Sequence, residues 1–75
     1  MGHLDYMSNE EFLDFAKQRA LAELPDVGNA SSSFISDMSK HSHYEGHPVI
    51  ALLVMHMAAG LLNERTCRDL ITGTN

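Results

Sequence analysis

The residues best suited to chemistry form a histidine-rich segment near the middle of this 75-residue chain. Its candidate ligands are His41, His43, Glu45 and His47. Imidazole and carboxylate groups are good ligands for zinc, nickel and copper, and alternate spacing lets an extended segment turn such side chains to one side. These four residues are therefore candidate metal ligands. The competing interpretation is a polar linker whose histidines cap helices or face solvent.

This segment partly resembles the HxHxDH metal motif of metallo-β-lactamase-like hydrolases. Glu45 stands where that motif has Asp, and Gly46 intervenes before His47. A chain of 75 residues is also far too short for the αββα fold of that family and for its distant ligands. We therefore exclude the family and keep only a weaker metal site, or one shared between subunits.

Other catalytic arrangements are missing from the sequence. It contains no Gly-rich phosphate loop, no nucleophile elbow and no cysteine with an adjacent base. The single Cys67 cannot form an internal disulfide, which is typical of a reducing compartment, and no basic signal region opens the chain. We therefore expect a cytoplasmic protein that is not an enzyme and whose only candidate cofactor is the metal ion.

The charge of the chain is acidic and unevenly distributed. It has 5 Lys and Arg against 10 Asp and Glu, a formal net charge of −5. Residues 1–26 hold six of the acids and only two of the bases. Generic binding to nucleic acid or to anionic membranes needs a basic surface, so we expect neither. The first segment instead offers a surface to a basic protein partner, and its candidate residues are Glu10, Glu11, Asp14 and Glu23.

The first part of the chain predicts a flexible N-terminus over 1–7 and then a helix. Ser8 and Glu11 have the spacing of a capping box, with acidic residues at the positive end of the helix dipole. Apolar residues follow at helical spacing. Because proline disfavours a helical conformation in the residue before it, Pro25 should end this helix, which we predict over 9–24.

The middle of the chain predicts a turn, a shorter helix and a linker. Residues 25–29 have the composition of a turn. Apolar residues spaced along 30–42 indicate a second helix, with a serine-rich loop as the alternative. Residues 43–47 form the histidine-rich linker. With the last segment, these elements make one all-α domain of three helices over 1–75.

The third helix is predicted over 48–72 and is apolar nearly all round in its first part. The apolar stretch 48–62 has no charged residue, but it is shorter than the ~20 residues that a bilayer span needs. In the alternative, Gly60 ends one helix and Asn63 caps another over 64–72. A helix that is apolar on every side must be surrounded by protein, and two short helices cannot surround it. This favours the unbroken helix.

The length of that helix predicts self-association. At 1.5 Å per residue a helix over 48–72 is about 37 Å long, whereas a compact monomer of this size is only about 30 Å across. A second copy of the chain would cover the surplus apolar surface in a helical bundle, and a symmetric dimer is the default. The residues expected at this interface are Ile50, Leu53, Val54, His56, Met57 and Leu61.

Residues 61–73 loosely resemble the turn and recognition helix of small helix-turn-helix DNA binders of the excisionase or terminase-small-subunit kind. In those proteins an Arg-Thr pair opens a short helix that ends in Gly. The resemblance implies that Arg65, Thr66 and Arg68, within 63–72, face DNA. The surroundings are poor in bases, so nucleic-acid binding is the lesser expectation.

The sequence therefore favours a homo-oligomeric interaction or regulatory protein that acts without catalysis. A small acidic helical oligomer can work by occupying the surface of another protein, as accessory proteins of phages and mobile elements do. The two alternatives are the helix-turn-helix regulator and a metal-binding protein that uses the histidine cluster.

Overall fold

The computed structural model describes residues 7–75, which form four α-helices and no strand. The helices are α1 (Asn9–Leu21), α2 (Val27–Lys40), α3 (Pro48–Ala58) and α4 (Glu64–Thr72). The predicted all-α class is therefore confirmed. Apart from Met7, the predicted flexible N-terminus lies outside the described residues.

Helix α1 begins where the capping pattern places it. Ser8 Oγ accepts a hydrogen bond from the Glu11 backbone N–H at 3.1 Å, and Glu11 Oε1 accepts one from the Ser8 backbone N–H at 3.0 Å. This reciprocal pair satisfies two N–H groups that have no partner within the helix. The helix ends at Leu21, earlier than predicted, and Leu24 N–H bonds to the Leu21 carbonyl in a tighter turn. The chain therefore leaves the helix before it reaches Pro25.

Helix α2 begins three residues earlier than predicted because Asp26 caps it. Asp26 Oδ1 accepts a hydrogen bond from the Asn29 backbone N–H at 3.0 Å, so residues assigned to a turn form the first turn of the helix. The serine run lies inside the helix, where Ser31 is fully buried. The helix ends at Lys40, two residues before the predicted end, and His41 is extended.

The prediction of one unbroken third helix over 48–72 is wrong, because the chain turns at Gly60. Gly60 has φ +70°, a left-handed conformation that side chains with a Cβ rarely adopt. Its N–H donates to the Met57 carbonyl at 3.2 Å, and the Leu61 N–H donates to the His56 carbonyl at 2.9 Å. These two bonds form a Schellman motif, which ends α3.

Asn63 then starts a separate helix α4. Its Oδ1 accepts a hydrogen bond from the Thr66 backbone N–H at 2.8 Å. The predicted three-helix count is therefore corrected to four helices in residues 7–75. Local capping signals determine the break, although the break leaves α3 with too few neighbours to cover its apolar surface.

The core lies where α2 meets the other helices. Phe34 and Met38 of α2 are fully buried. Helices α1 and α3 each pack against α2 and α4, and they contact each other much less. The other buried apolar residues are Phe12, Leu13, Ala16, Ala20, Ala30, Tyr44, Val49, Leu53, Cys67 and Ile71. This arrangement places α1 and α3 on different sides of the molecule.

Candidate interaction surface

Helix α3 is strongly apolar but largely exposed. Of its 11 residues only Val49 and Leu53 are buried. The large apolar side chains exposed on α3 and just after it are Leu52 at 41%, Val54 at 49%, Met55 at 63%, Met57 at 40% and Leu61 at 65%. We call these five residues the α3 patch. No helix of the described part of the chain is long and apolar enough to cross a membrane.

The α3 patch occupies two sides of its helix. With 3.6 residues per turn, Leu52 and Met55 lie on one side of α3, whereas Val54 and Met57 lie on another. Residues 48–63 contain no Asp, Glu, Lys or Arg. Exposed apolar side chains in a segment without charge are typical of a site that another molecule covers.

The structure sorts the predicted interface residues into three groups. Val54, Met57 and Leu61 are exposed and belong to the α3 patch, whereas Ile50 and His56 are half-buried. Leu53 is fully buried in the core of the single chain, so it is not available to a partner. The predicted interface itself stays a prediction.

Two members of the α3 patch, Leu52 and Met55, were not among the predicted interface residues. They lie one turn apart, and both are exposed. An apolar pattern that runs round the whole helix does not show which side faces the core. The positions of the buried residues Val49 and Leu53, known only from the fold, identify the opposite side as the exposed one.

His56 is held by its own helix. Its Nδ1 lies 2.7 Å from the Leu52 carbonyl oxygen one turn earlier. Because a carbonyl oxygen only accepts, Nδ1 carries a proton and donates this hydrogen bond. The side chain is half-buried beside the α3 patch. His56 is therefore a polar group at the edge of the apolar surface.

In the histidine-rich segment, His47 serves as a helix cap. Its Nδ1 accepts a hydrogen bond from the Val49 backbone N–H at 3.1 Å, and Nε2 lies 2.9 Å from the Asn75 carbonyl oxygen. Both ring nitrogens are thus engaged within the chain. His47 fixes the start of α3 and has no nitrogen left to bind a metal ion in this conformation.

The remaining histidines of the segment pack on aromatic rings. The His41 ring centroid lies 4.3 Å from that of Phe12, and His41 Nδ1 accepts a hydrogen bond from the His43 backbone N–H at 3.2 Å. The His43 ring stands edge-on to Tyr44 at 4.7 Å. Within residues 7–75 no group of three His, Cys, Asp or Glu side chains could hold a metal ion. The predicted site, which also included Glu45, is not assembled by this geometry and stays a prediction.

Tyr44 anchors the linker to the first helix. Its hydroxyl donates a hydrogen bond to the Asn9 carbonyl oxygen at 2.8 Å, and its ring is stacked near that of Phe12, with centroids 6.2 Å apart. Burial raises the pKa of the phenol above its ordinary value, and the negative charge of Glu10 adds to this effect. The neutral phenol is therefore the form that the fold favours.

The first segment keeps an excess of exposed acidic residues, and the two basic residues of α1 contact other helices. Lys17 Nζ donates to the Thr72 carbonyl oxygen at 3.1 Å. Arg19 Nε lies 3.5 Å from Asp37 Oδ2 on α2. The predicted partner-binding residues Glu10, Glu11, Asp14 and Glu23 are all exposed. Glu10, Glu11 and Asp14 lie on one side of α1 and form the acidic face, whereas Glu23 follows the end of the helix at Leu21. Glu11 also belongs to the capping box.

The basic residues of α4 have acidic neighbours. Arg68 Nη2 lies 3.1 Å from Glu64 Oε2, and Asp69 is exposed on the same helix. Arg65 is exposed and Thr66 is half-buried. The helix carries two bases and two acids, so its surface has no net positive charge.

Comparison with models of protein families, with curated protein sequences and with solved structures finds no match to this chain. The function must therefore be inferred from the surfaces described above. These are the apolar α3 patch on one side and the acidic face of α1 on another.

Proposed function

We propose that this chain is a non-catalytic interaction protein that forms a homodimer through the α3 patch. One observation carries the proposal: the most apolar helix of the chain has four large side chains exposed, with no charged residue between positions 48 and 63. A domain of this size buries only about 60% of the surface of its unfolded chain, which makes its stability marginal. Covering the patch with a second copy adds apolar burial where the single chain lacks it.

The position of α1 supports a second role for such a dimer. Helices α1 and α3 contact each other much less than they contact α2 and α4. Pairing through the α3 patch therefore keeps most of the acidic face accessible. Glu10, Asp14 and Glu23 then offer negative charge to a basic protein surface. The dimer is thus suited to act as a regulator that occupies a basic site on another protein, as expected of an accessory protein.

Analytical ultracentrifugation from low to high micromolar concentration tests the homodimer. The wild-type chain of 8.3 kDa should sediment with twice that mass. The double variant Met55→Glu and Met57→Glu should be monomeric, because each copy would bury charges in an apolar interface. A wild-type monomer throughout the range contradicts the proposal.

A matched control separates the loss of apolar surface from the effect of added charge. Ser36 and Ser39 are exposed on α2, away from the α3 patch. The double variant Ser36→Glu and Ser39→Glu adds the same charge as the α3 variant and should remain a dimer. Dissociation of both variants would show that net charge, and not the patch, controls association.

A second candidate function is the helix-turn-helix DNA binder. The observation that favours it is the break at Gly60, which gives α4 its own cap at Asn63 and separates it from α3. The acidic neighbours of Arg65 and Arg68 and the net charge of −5 oppose it. A protein that binds DNA needs a basic surface to neutralise phosphates.

A further inference from the structure

An open groove of about 190 Å³ lies between α3 and the end of α4. Its apolar lining includes Val49 and Leu52 of α3 and Leu70 of α4. Leu52 is 41% exposed, whereas Val49 is only 4% exposed. A cavity of ~150 Å³ with apolar walls can hold a group the size of benzene. The groove is therefore large enough for one leucine or phenylalanine side chain of a partner.

Asp69 adds a negative charge to this groove. Within residues 7–75 its carboxylate has no hydrogen bond or ion pair, and Arg65, one turn earlier on α4, is not bonded to it. The other polar side chains that the described part of the chain places in the lining have partners. His47 uses both ring nitrogens, and the Thr74 hydroxyl donates to the Leu70 carbonyl oxygen at 2.8 Å. Asp69 is therefore the polar group of the groove that is free to pair with a ligand.

A second depression, of about 340 Å³, continues this surface toward α1. Thr74, which follows α4, lines both depressions. Glu10 and Asp14 of α1 supply two further carboxylates. Lys17 is the one base that residues 7–75 place in the lining, and its Nζ donates to the Thr72 carbonyl oxygen at 3.1 Å. The described residues thus give the joined surface three carboxylates against one ammonium group.

We propose that this surface binds a basic segment of a partner protein. The segment places one large apolar side chain in the groove and a lysine or arginine beside Asp69, while further basic residues face Glu10 and Asp14. The buried apolar side chain serves as the anchor, and the charges fix the orientation of the segment. This inference rests on the basic partner of the proposed function and does not need the homodimer.

Charge selects a basic segment over a second copy of this chain as the occupant. A second copy would bring a net charge of −5 to a surface that already holds three carboxylates, and like charges repel. A basic segment pairs with these carboxylates instead, and its apolar residue gains the burial that the groove offers. Leu52 lies on the groove side of α3, whereas Val54 and Met57 lie on another side and remain available to the homodimer.

Fluorescence anisotropy with a labelled synthetic peptide tests the proposal. The probe is a short lysine-rich peptide with a single central leucine, and it should bind the full chain with an affinity that falls as salt is added. Replacing the leucine by serine should raise the dissociation constant at least about tenfold, because the groove loses its apolar occupant. Replacing the lysines by glutamines should abolish binding. No binding of the leucine peptide at low salt contradicts the proposal.

Two pairs of matched variants locate the peptide on the chain. Asp69→Asn should raise the dissociation constant of the leucine peptide about two- to fivefold, as expected for an exposed ion pair. Glu23 is an exposed acid outside both depressions, so Glu23→Gln should leave this constant unchanged. Leu52→Ala should weaken binding more than Val54→Ala does, because only Leu52 lines the groove. Equal effects within either pair would place the peptide elsewhere and overturn the proposal.

Sedimentation of the same samples separates the possible failures. A wild-type dimer that does not bind the leucine peptide overturns the binding surface and leaves the homodimer intact. A wild-type monomer that binds the peptide overturns the homodimer and supports the surface. Equal binding of the leucine and serine peptides keeps the basic partner of the proposed function but overturns the role of the groove.

Discussion

The Tyr44 hydroxyl donates a hydrogen bond to the Asn9 carbonyl oxygen, 2.8 Å away, and so ties the linker before α3 to the first turn of α1. The two residues are 35 positions apart in the sequence. Because Tyr44 is only 4% exposed, this bond is shielded from water. The contact makes the histidine-rich segment a structural part of the fold.

Removing this hydroxyl should lower stability and change its dependence on alkaline pH. Tyr44→Phe should reduce the free energy of unfolding by about 0.5–1.5 kcal/mol at neutral pH, the usual contribution of such a bond. The folded-state pKa of Tyr44 is raised, so its contribution is fully present below the unfolded pKa of about 10 and is lost as pH rises through the folded pKa. Urea unfolding at several pH values should therefore show a shallower alkaline decline in the variant. If stability fell equally steeply in the variant and in the wild-type chain, the alkaline loss of stability would be due to groups other than Tyr44.

The adjacent residues Leu53 and Val54 should respond very differently to truncation. Leu53 is fully buried and Val54 is 49% exposed. Leu53→Ala should lower the free energy of unfolding by about 2–5 kcal/mol, because it leaves a cavity in the core. Val54→Ala should have a much smaller effect when measured at concentrations where the chain is monomeric. Similar losses in the two variants would mean that α3 presents a different side to the core.

The turn at Gly60 should be sensitive to a side chain, whereas Gly46 should not. Gly60→Ala forces alanine into the left-handed region and should lower the free energy of unfolding by about 1–2 kcal/mol. Gly46 has open space where a Cβ would lie, so Gly46→Ala should be neutral or slightly stabilising. Thermal melting of both variants compares them directly. If Gly60→Ala raised the melting temperature, the chain would instead favour a continuous helix.

Zinc should not stabilise the protein. His47 uses both ring nitrogens within the chain, and His41 uses Nδ1, so binding would require these bonds to break. We expect the melting temperature to be unchanged when zinc or nickel is added in excess. A rise that disappears in the double variant His41→Ala and His43→Ala would establish the metal site and show that the segment rearranges around it.

Duplex DNA should not be bound, even at low salt. The chain carries a net charge of −5, and Arg68 is paired with Glu64. Gel-shift experiments should show free DNA at all protein concentrations tested. A salt-sensitive shift that is abolished by Arg65→Ala with Arg68→Ala would instead assign α4 as a recognition helix.

The sequence predicts local features of this fold well because the signals that set them are local. The capping box of Ser8 and Glu11 starts α1, and the His47 cap starts α3. Both helices begin at the predicted residue. Gly60 and Asn63 carry the signals of a helix end and a helix start, whereas the need to cover the apolar surface of α3 favours an unbroken helix. The structure shows that the local signals prevail.

The candidate surface was harder to predict because a helix that is apolar all round contains no information about its orientation. Leu53 and Val54 are adjacent and chemically similar, yet only one of them faces the core. The histidine cluster failed to assemble for a different reason. Alternate spacing brings side chains together only in an extended segment, whereas residues 42–46 form a turn.

Cys67 is buried, so the reaction of its thiol with a reagent reports the opening of the core. Its Sγ lies 3.4 Å from Ser31 Oγ between α2 and α4, with no exposed surface. A thiol reagent can reach the sulfur only when these two helices separate, so the rate of modification measures how often the core opens. Because pairing through the α3 patch would stabilise the folded chain, dimerisation should slow the reaction of this single thiol as the fraction of paired chains rises.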